Sequence, residues 1–343
     1  MKVAIIGVTG YSGLELVRLL KNHPKVEIVS LHSHSQNNQD ISNVYPHLKR
    51  IIDLTLEEIN PKKIMATADL VFFATPSGIS KDLAADFSEN NFPMIDLSGD
   101  FRLKEIGAYE KWYQKEPASP AILSKAEYGL ADLNSEYSSN FIANPGCYAT
   151  CALLSLAPLV QEKWIDPDSI IIDGKSGLSG AGKNLSVAAH FEEAHDNMSL
   201  YKMNSHQHIP EIVQQLKSWD KSIPAIQFST SLIPVSRGIF MTSYLKAKRK
   251  LTTSQVHQLY QSFYQDKPFI RVQAENQFPS IKQVVGSNYC DIGVAFNEAT
   301  NVITVVSVLD NLVKGAAGQA IQNLNHLMKI PEITGLDFVP VYP

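Results

Sequence analysis

The 343 residues are 44% hydrophobic and 19% charged, the make-up of a globular protein with enough chain for two cores. A formal net charge of −4 excludes a general attraction to nucleic acid or to an acidic membrane surface, and no apolar run is long enough to span a bilayer. Three cysteines, an odd count, argue against a disulfide framework and point to a reducing, cytoplasmic setting.

The chain enters a strand at once, without a signal-peptide pattern: residues 3–6 are wholly apolar, as expected of a central parallel strand covered on both faces. Gly7-Val8-Thr9-Gly10-Tyr11-Ser12-Gly13 follows, and residues 14–20 have helical periodicity. Strand, glycine turn and helix in this order hold a pyrophosphate on backbone N–H groups at the helix start. The spacing is GxxGxxG, and a tight turn needs glycine whatever it binds. Its place directly after the first strand is what favours a nucleotide, with Gly7, Thr9, Gly10, Tyr11, Ser12 and Gly13 as contacts.

The second strand, residues 26–31, runs into His32-Ser33-His34-Ser35, with no carboxylate to grip ribose hydroxyls. Hydroxyls at Ser33 and Ser35 tolerate a 2′-phosphate, which favours NADP over NAD; a polar loop without nucleotide contact is the bland alternative. Further buried-strand runs end at Thr75-Pro76-Ser77-Gly78, at Ser98-Gly99-Asp100-Phe101-Arg102 and at Asn144. In an open α/β sheet these loops share the ligand-binding rim. Arg102 there suits a carboxylate or phosphate, against the commoner fate of a surface arginine.

Asn144-Pro145-Gly146-Cys147-Tyr148-Ala149-Thr150 joins the apolar run 141–143 to a helical pattern over 148–160. Cys147 falls on the first helical turn, where unpaired N–H groups favour a thiolate, the form that attacks carbonyls. A small buried cysteine is the competing reading. Beyond it, Asp173-Gly174-Lys175-Ser176-Gly177-Leu178-Ser179-Gly180-Ala181-Gly182-Lys183 reads as a flexible, anion-friendly loop without Walker spacing. Residues 238–245, 291–296 and 302–309 read as strands of a mixed or antiparallel sheet. The basic run 246–250 reads as a solvated strand end. A last helix opens at Gly315-Ala316-Ala317-Gly318, whose small residues suggest close packing. His190, His195, His206 and His208 admit three readings: a metal pair, a general base for a cysteine, or ordinary polar residues. No CxxC or HExxH spacing supports metal, and a candidate nucleophile needs a partner.

Together, residues 7–16, 96–103, 128–130, 144–150, 174–183, 206–212, 234–238 and 310–323 resemble, in order and spacing, the N-acetyl-γ-glutamyl-phosphate reductases of arginine biosynthesis over nearly the whole chain. The resemblance implies NADPH-dependent reduction of the acyl phosphate to N-acetylglutamate semialdehyde through a Cys147 thioester, in a homo-oligomer, dimer or tetramer. It makes His206 the acid–base partner, with His208 as the substitute. Arg102 and Arg237, with Ser98 and Asn144, would face the substrate. Pro76, Ser179, Gly180 and Asn311 would face the cofactor, Asn311 at the nicotinamide carboxamide. Ser77, His34, Ser231 and Cys151 stand where the family commonly has histidine, arginine, histidine and a small residue.

The expected fold is α/β: a Rossmann-type doubly wound parallel sheet over 1–147 and a mixed-sheet α+β catalytic and dimerisation domain over 148–311, with 312–343 packing back as a helix. The nearest alternative substrate is a carrier-bound aminoadipyl phosphate or an aspartyl phosphate. A hydrolase with zinc on the four histidines and a non-catalytic NADP sensor are the rivals of other classes.

Overall fold

The computed structural model describes residues 1–342. Pro343, the last residue of the expected helical tail, lies outside the described residues. The chain forms two compact units: Met1–Pro145 with Ala316–Leu336, and Gly146–Gly315 with the residues from Asp337 on.

In the first unit, seven strands form one wholly parallel sheet: β1 (Lys2–Ile6), β2 (Glu27–His32), β3 (Leu56–Glu57), β4 (Leu70–Phe73), β5 (Met94–Asp96), β6 (Glu127–Tyr128) and β7 (Phe141–Ala143). Their order is β3-β2-β1-β4-β5-β7-β6, so the winding reverses between β1 and β4. Residues 3–6 and 70–73 are fully buried, which is why these strands carry no polar alternation. Helix Gly318–Leu327 packs against helix Tyr11–Leu20 and β5. Two glycines at the switch point are fixed by backbone proximity. Gly7 has φ +85°, and a Cβ there would lie 2.6 Å from the Ala74 carbonyl oxygen; one on Gly13 would lie 2.5 Å from that of Gly7.

The second unit carries a mixed sheet: β8 (Ile171–Gly177), β9 (Ser199–Leu200), β10 (Gln227–Ile233), β11 (Ile239–Lys246), β12 (Ile270–Val272), β13 (Cys290–Asn297) and β14 (Val302–Leu309). They are ordered β12-β13-β14-β11-β8-β10-β9. Helix Cys147–Gln161 packs on β11, β14 and helix His208–Trp219. Every residue from Tyr148 to Val160 is buried, so the helix is apolar all round rather than along one stripe.

Three sequence expectations are corrected here. The glycines of 173–183 do not make a flexible loop: β8 runs through Gly177, with a 3₁₀ turn at Leu178–Ala181. Gly174 and Gly177 mark close approach instead, because a Cβ would meet the Tyr148 ring at 2.7 Å and the Val235 carbonyl oxygen at 2.8 Å. The last helix begins at Gly318, after a π-helical turn over Val313–Ala317. Cys147 lies in the second unit, and so does the tail from Asp337, whose Val341 N–H donates to Val285 O at 2.8 Å. Among the described residues no helix is long and apolar enough to cross a membrane.

Candidate active site

At the rim of the first unit, Gly10 caps helix Tyr11–Leu20 without a side-chain hydrogen bond, which leaves the first-turn amides to a ligand. The Tyr45 hydroxyl donates to Thr9 O at 2.6 Å, and the Thr9 and Ser33 hydroxyls lie 3.4 Å apart. Ser33 is buried, whereas His34, Ser35 and Pro76 are exposed. Glycine cradle, uncapped amides and hydroxyl pair fit a dinucleotide phosphate.

Ser98, Arg102 and Asn144 occupy the same unit and are buried. Ser98 Oγ donates to Asp96 Oδ2 at 2.7 Å and accepts from Asp100 N–H at 3.1 Å. Arg102 is 5% exposed; its Nε and one terminal nitrogen donate to Asn144 O and Leu97 O at 2.8 and 2.7 Å. The Asn144 side chain donates to Ala316 O and accepts from Asn323 Nδ2. These bonds hold the three side chains in place, because strand ends leave carbonyls that a buried guanidinium satisfies. Burial, and then the nearby Asp100 carboxylate, push the Asp96 carboxyl up to about 7.

Cys147 is half-buried on the first turn of its helix. The Gly146 N–H just before it donates to Glu211 Oε1 at 2.8 Å, and Glu211 is fully buried. Gly315 lies behind the cysteine. Cys151, one turn on, is wholly buried, 3.2 Å from Ser307 Oγ, and burial pushes its thiol up to about 12. It remains a packed thiol.

His206 and His208 are brought together, with ring centroids 4.7 Å apart. Tyr148, Tyr201 and Phe228 surround His206 edge-on, at 5.3, 5.7 and 5.8 Å. Burial, then His208 and Lys202, hold the His206 ring neutral down to about pH 2. Its Nδ1 accepts the His208 backbone N–H at 3.1 Å, so the neutral ring carries its proton on Nε2. The four-histidine metal centre is not assembled: His195 is exposed and stacked on Phe191, and among the described residues no three metal-binding side chains cluster.

Arg237 reaches the surface, its side chain 30% exposed, and lies 3.5 Å from the buried Asp310 carboxylate. Asp310 also accepts the N–H groups of Gly286, Leu312 and Val313. Asn311 joins two loops: its Oδ1 accepts from Gly238 N–H at 2.7 Å and its Nδ2 donates to Ser179 Oγ at 3.0 Å. One lone pair and one donor of that amide remain for a ligand. Gly180, beside Ser179, is exposed. Glu211, Asp310 and Gly315 were not picked out from the sequence as site residues. The spacing His206-Gln207-His208-Ile209-Pro210-Glu211, with an acid one turn beyond a histidine on an amphipathic helix, was the available signal for the first.

Residues 2–140 match the semialdehyde dehydrogenase NAD-binding-domain family, and residues 147–311 match the semialdehyde dehydrogenase dimerisation-domain family. The chain is 61% identical over 343 residues to an N-acetyl-gamma-glutamyl-phosphate reductase of Listeria innocua, with all of each chain covered. The chain belongs to the N-acetyl-gamma-glutamyl-phosphate reductase family. A reductase of that name from Streptococcus mutans is 56% identical over 342 residues, again with all of each chain covered. The two matched domains of this reductase-family chain leave between them residues 141–146, the strand and turn that lead into Cys147. Among solved structures, aspartate semialdehyde dehydrogenase II from Vibrio cholerae superposes with a TM-score of 0.72 at 16% identity, covering 96% of this chain and 98% of that one. The Candida albicans aspartate semialdehyde dehydrogenase with NADP gives 0.70 at 17% identity, covering 95% and 98%. At these identities the likeness concerns the fold.

Proposed function

We propose that this chain reduces N-acetyl-γ-glutamyl phosphate to N-acetylglutamate semialdehyde with NADPH, releasing phosphate, as a step of arginine biosynthesis. The observation that carries the reading is Cys147 at the start of a buried helix, with its turn pinned by Glu211 and the His206–His208 pair beside Tyr148.

The Cys147 thiolate attacks the γ-acyl carbon, the phosphate leaves with the bonding electrons, and a thioester remains on sulfur. Helix-start N–H groups stabilise the oxyanion of that addition. NADPH, when bound, supplies the hydride that takes the thioester to the thiohemiacetal level. His206 enters as a neutral donor: its Nε2–H bonds the thiohemiacetal oxygen, and collapse releases the aldehyde and returns the thiolate. With Nδ1 already engaged and Nε2 protonated, His206 has no lone pair for the cysteine proton. That proton passes to His208, and the helix start stabilises the thiolate left behind. Arg237, tethered by Asp310, holds the anionic end of the substrate. Asn311 offers its remaining amide valences to the nicotinamide carboxamide. The glycine turn at Gly7, Thr9, Gly10, Tyr11, Ser12 and Gly13 holds the pyrophosphate, and Ser33 and Ser35 receive the 2′-phosphate.

The enzyme works in the cytoplasm as a homo-oligomer. Its three free cysteines support the reducing setting. The exposed apolar side chains Leu185, Val187, Phe191, Met198, Leu200 and Met203 support a covered surface on the second unit.

Phosphate-dependent reduction of NADP with N-acetylglutamate semialdehyde tests the reading, beside NAD and aspartate-semialdehyde controls and the Cys147→Ala variant. Rapid reduction with the acetylated substrate, lost in the variant, is expected. Turnover only with a control would move the enzyme to another acyl phosphate, and no turnover with any pair would end the reductase reading.

A further inference from the structure

We infer that Glu211 is a positioning residue for Cys147, and that the segment from His206 to Glu211 sets the nucleophile turn and the histidine pair in one register. The inference rests on Cys147 as the nucleophile. Glu211 is a carboxylate with no exposed surface, a costly placement unless its oxygens are bonded. Its Oε1 accepts the N–H of Gly146, a group that the following helix cannot satisfy.

Glu211 follows His208 by three positions on helix His208–Trp219, so both side chains leave the same face. That helix packs against helix Cys147–Gln161. The His208 backbone N–H, at the start of the same segment, holds His206 Nδ1. A single helix start thus grips the residue before the thiol at one point and orients the imidazole at another.

The carboxylate has an electrostatic cost for the reaction. A negative charge beside the turn opposes formation of a second one on sulfur. An amide at 211 keeps an acceptor oxygen for Gly146 and removes the charge. The two effects of Glu211, geometry and charge, therefore separate in two substitutions. The titratable groups that interact with the thiol are Tyr148, Tyr201 and Cys151, and the His206–His208 pair lies beside Tyr148; the two substitutions leave all of them in place.

The experiment compares Glu211→Gln and Glu211→Ala with the full-length wild-type chain. It measures steady-state kinetics and the pH dependence of Cys147 alkylation by iodoacetamide, with circular dichroism as the folding control. Glu211→Ala is expected to lower kcat by about tenfold or more with KM within about twofold, as for a misaligned reacting group. Glu211→Gln is expected to recover most of that kcat and to move the alkylation midpoint to lower pH. If Glu211→Ala does not fold, the alkylation midpoint of Glu211→Gln decides alone, and an unmoved midpoint overturns the inference. Wild-type kcat and alkylation in both variants would also overturn it, as would a rise in KM without a fall in kcat, which marks a substrate contact. Failure of the underlying reading shows separately, as alkylation away from Cys147 or activity surviving Cys147→Ala.

Discussion

Gly315 lies so close to Cys147 that a Cβ on the glycine would sit 2.7 Å from the Cβ of the cysteine and 3.1 Å from its Cα. The contact is with the root of the cysteine side chain, which cannot swing aside. Gly315→Ala therefore moves either the nucleophile or the π-helical turn over Val313–Ala317. We expect a loss of about 1–3 kcal/mol of stability, the usual cost of overpacking, and a fall in kcat of about a hundredfold, the cost of about 1 Å of misplacement. Thermal melts beside steady-state kinetics check both, and an active, wild-type-stable Gly315→Ala would contradict the close packing.

The tautomer of His206 gives a spectroscopic prediction. With its ring held neutral far below the usual range and Nδ1 accepting a backbone N–H, ¹⁵N spectra should show an Nε2–H imidazole that does not titrate between pH 5 and 8. The stability linkage has a definite sign. The folded value lies below the unfolded value of 6.5, so the contribution is full above 6.5 and is lost as pH falls toward 2. His206→Phe should flatten that acid-side loss; an ordinary titration of His206 near pH 6.5 would refute the assignment.

Asp96 works in the opposite direction. Its carboxyl is raised from 3.8 to about 7, so its stabilising effect is complete below 3.8 and disappears as pH rises through 7. The cost of ionising it in place is on the order of 4 kcal/mol. Asp96→Asn should leave the protein more stable than wild type at pH 8, with the advantage shrinking as pH falls toward 3.8, in denaturant melts across that range. The reverse order would show that Ser98 and Arg102 hold the carboxylate ionised.

Arg237 is the half-buried cation of the proposed substrate site, so its removal should cost binding more than folding. Arg237→Met is expected to lower kcat/KM by about a hundredfold, the scale of a charged hydrogen-bond pair, with a melting temperature close to wild type. A variant that melts early but turns over normally would assign the residue to Asp310 alone.

The first unit was legible because its strands are short apolar runs that stop at glycine, proline or serine turns. Residues 141–143 were read at the bounds observed for β7. The second unit was legible in its strands but misread in its glycines. Gly174 and Gly177 signal closeness to Tyr148 and Val235, a tertiary fact that local composition presents as flexibility. Arg102 and Asn144 read as ligand contacts in the sequence because arginine and asparagine commonly are. Only the fold reveals that strand-end carbonyls and Asn323 occupy them. Glu211 stands beside the histidines in the sequence without a role, since its partner Gly146 lies 65 positions away.

The covalent step can be isolated by giving the enzyme its acyl phosphate without NADPH. Rapid quench and intact-mass analysis should find one N-acetylglutamyl group per chain, peptide mapping should place it on Cys147, and phosphate should appear in an equal burst. No adduct and no burst, or an adduct that persists in Cys147→Ala, would contradict the account.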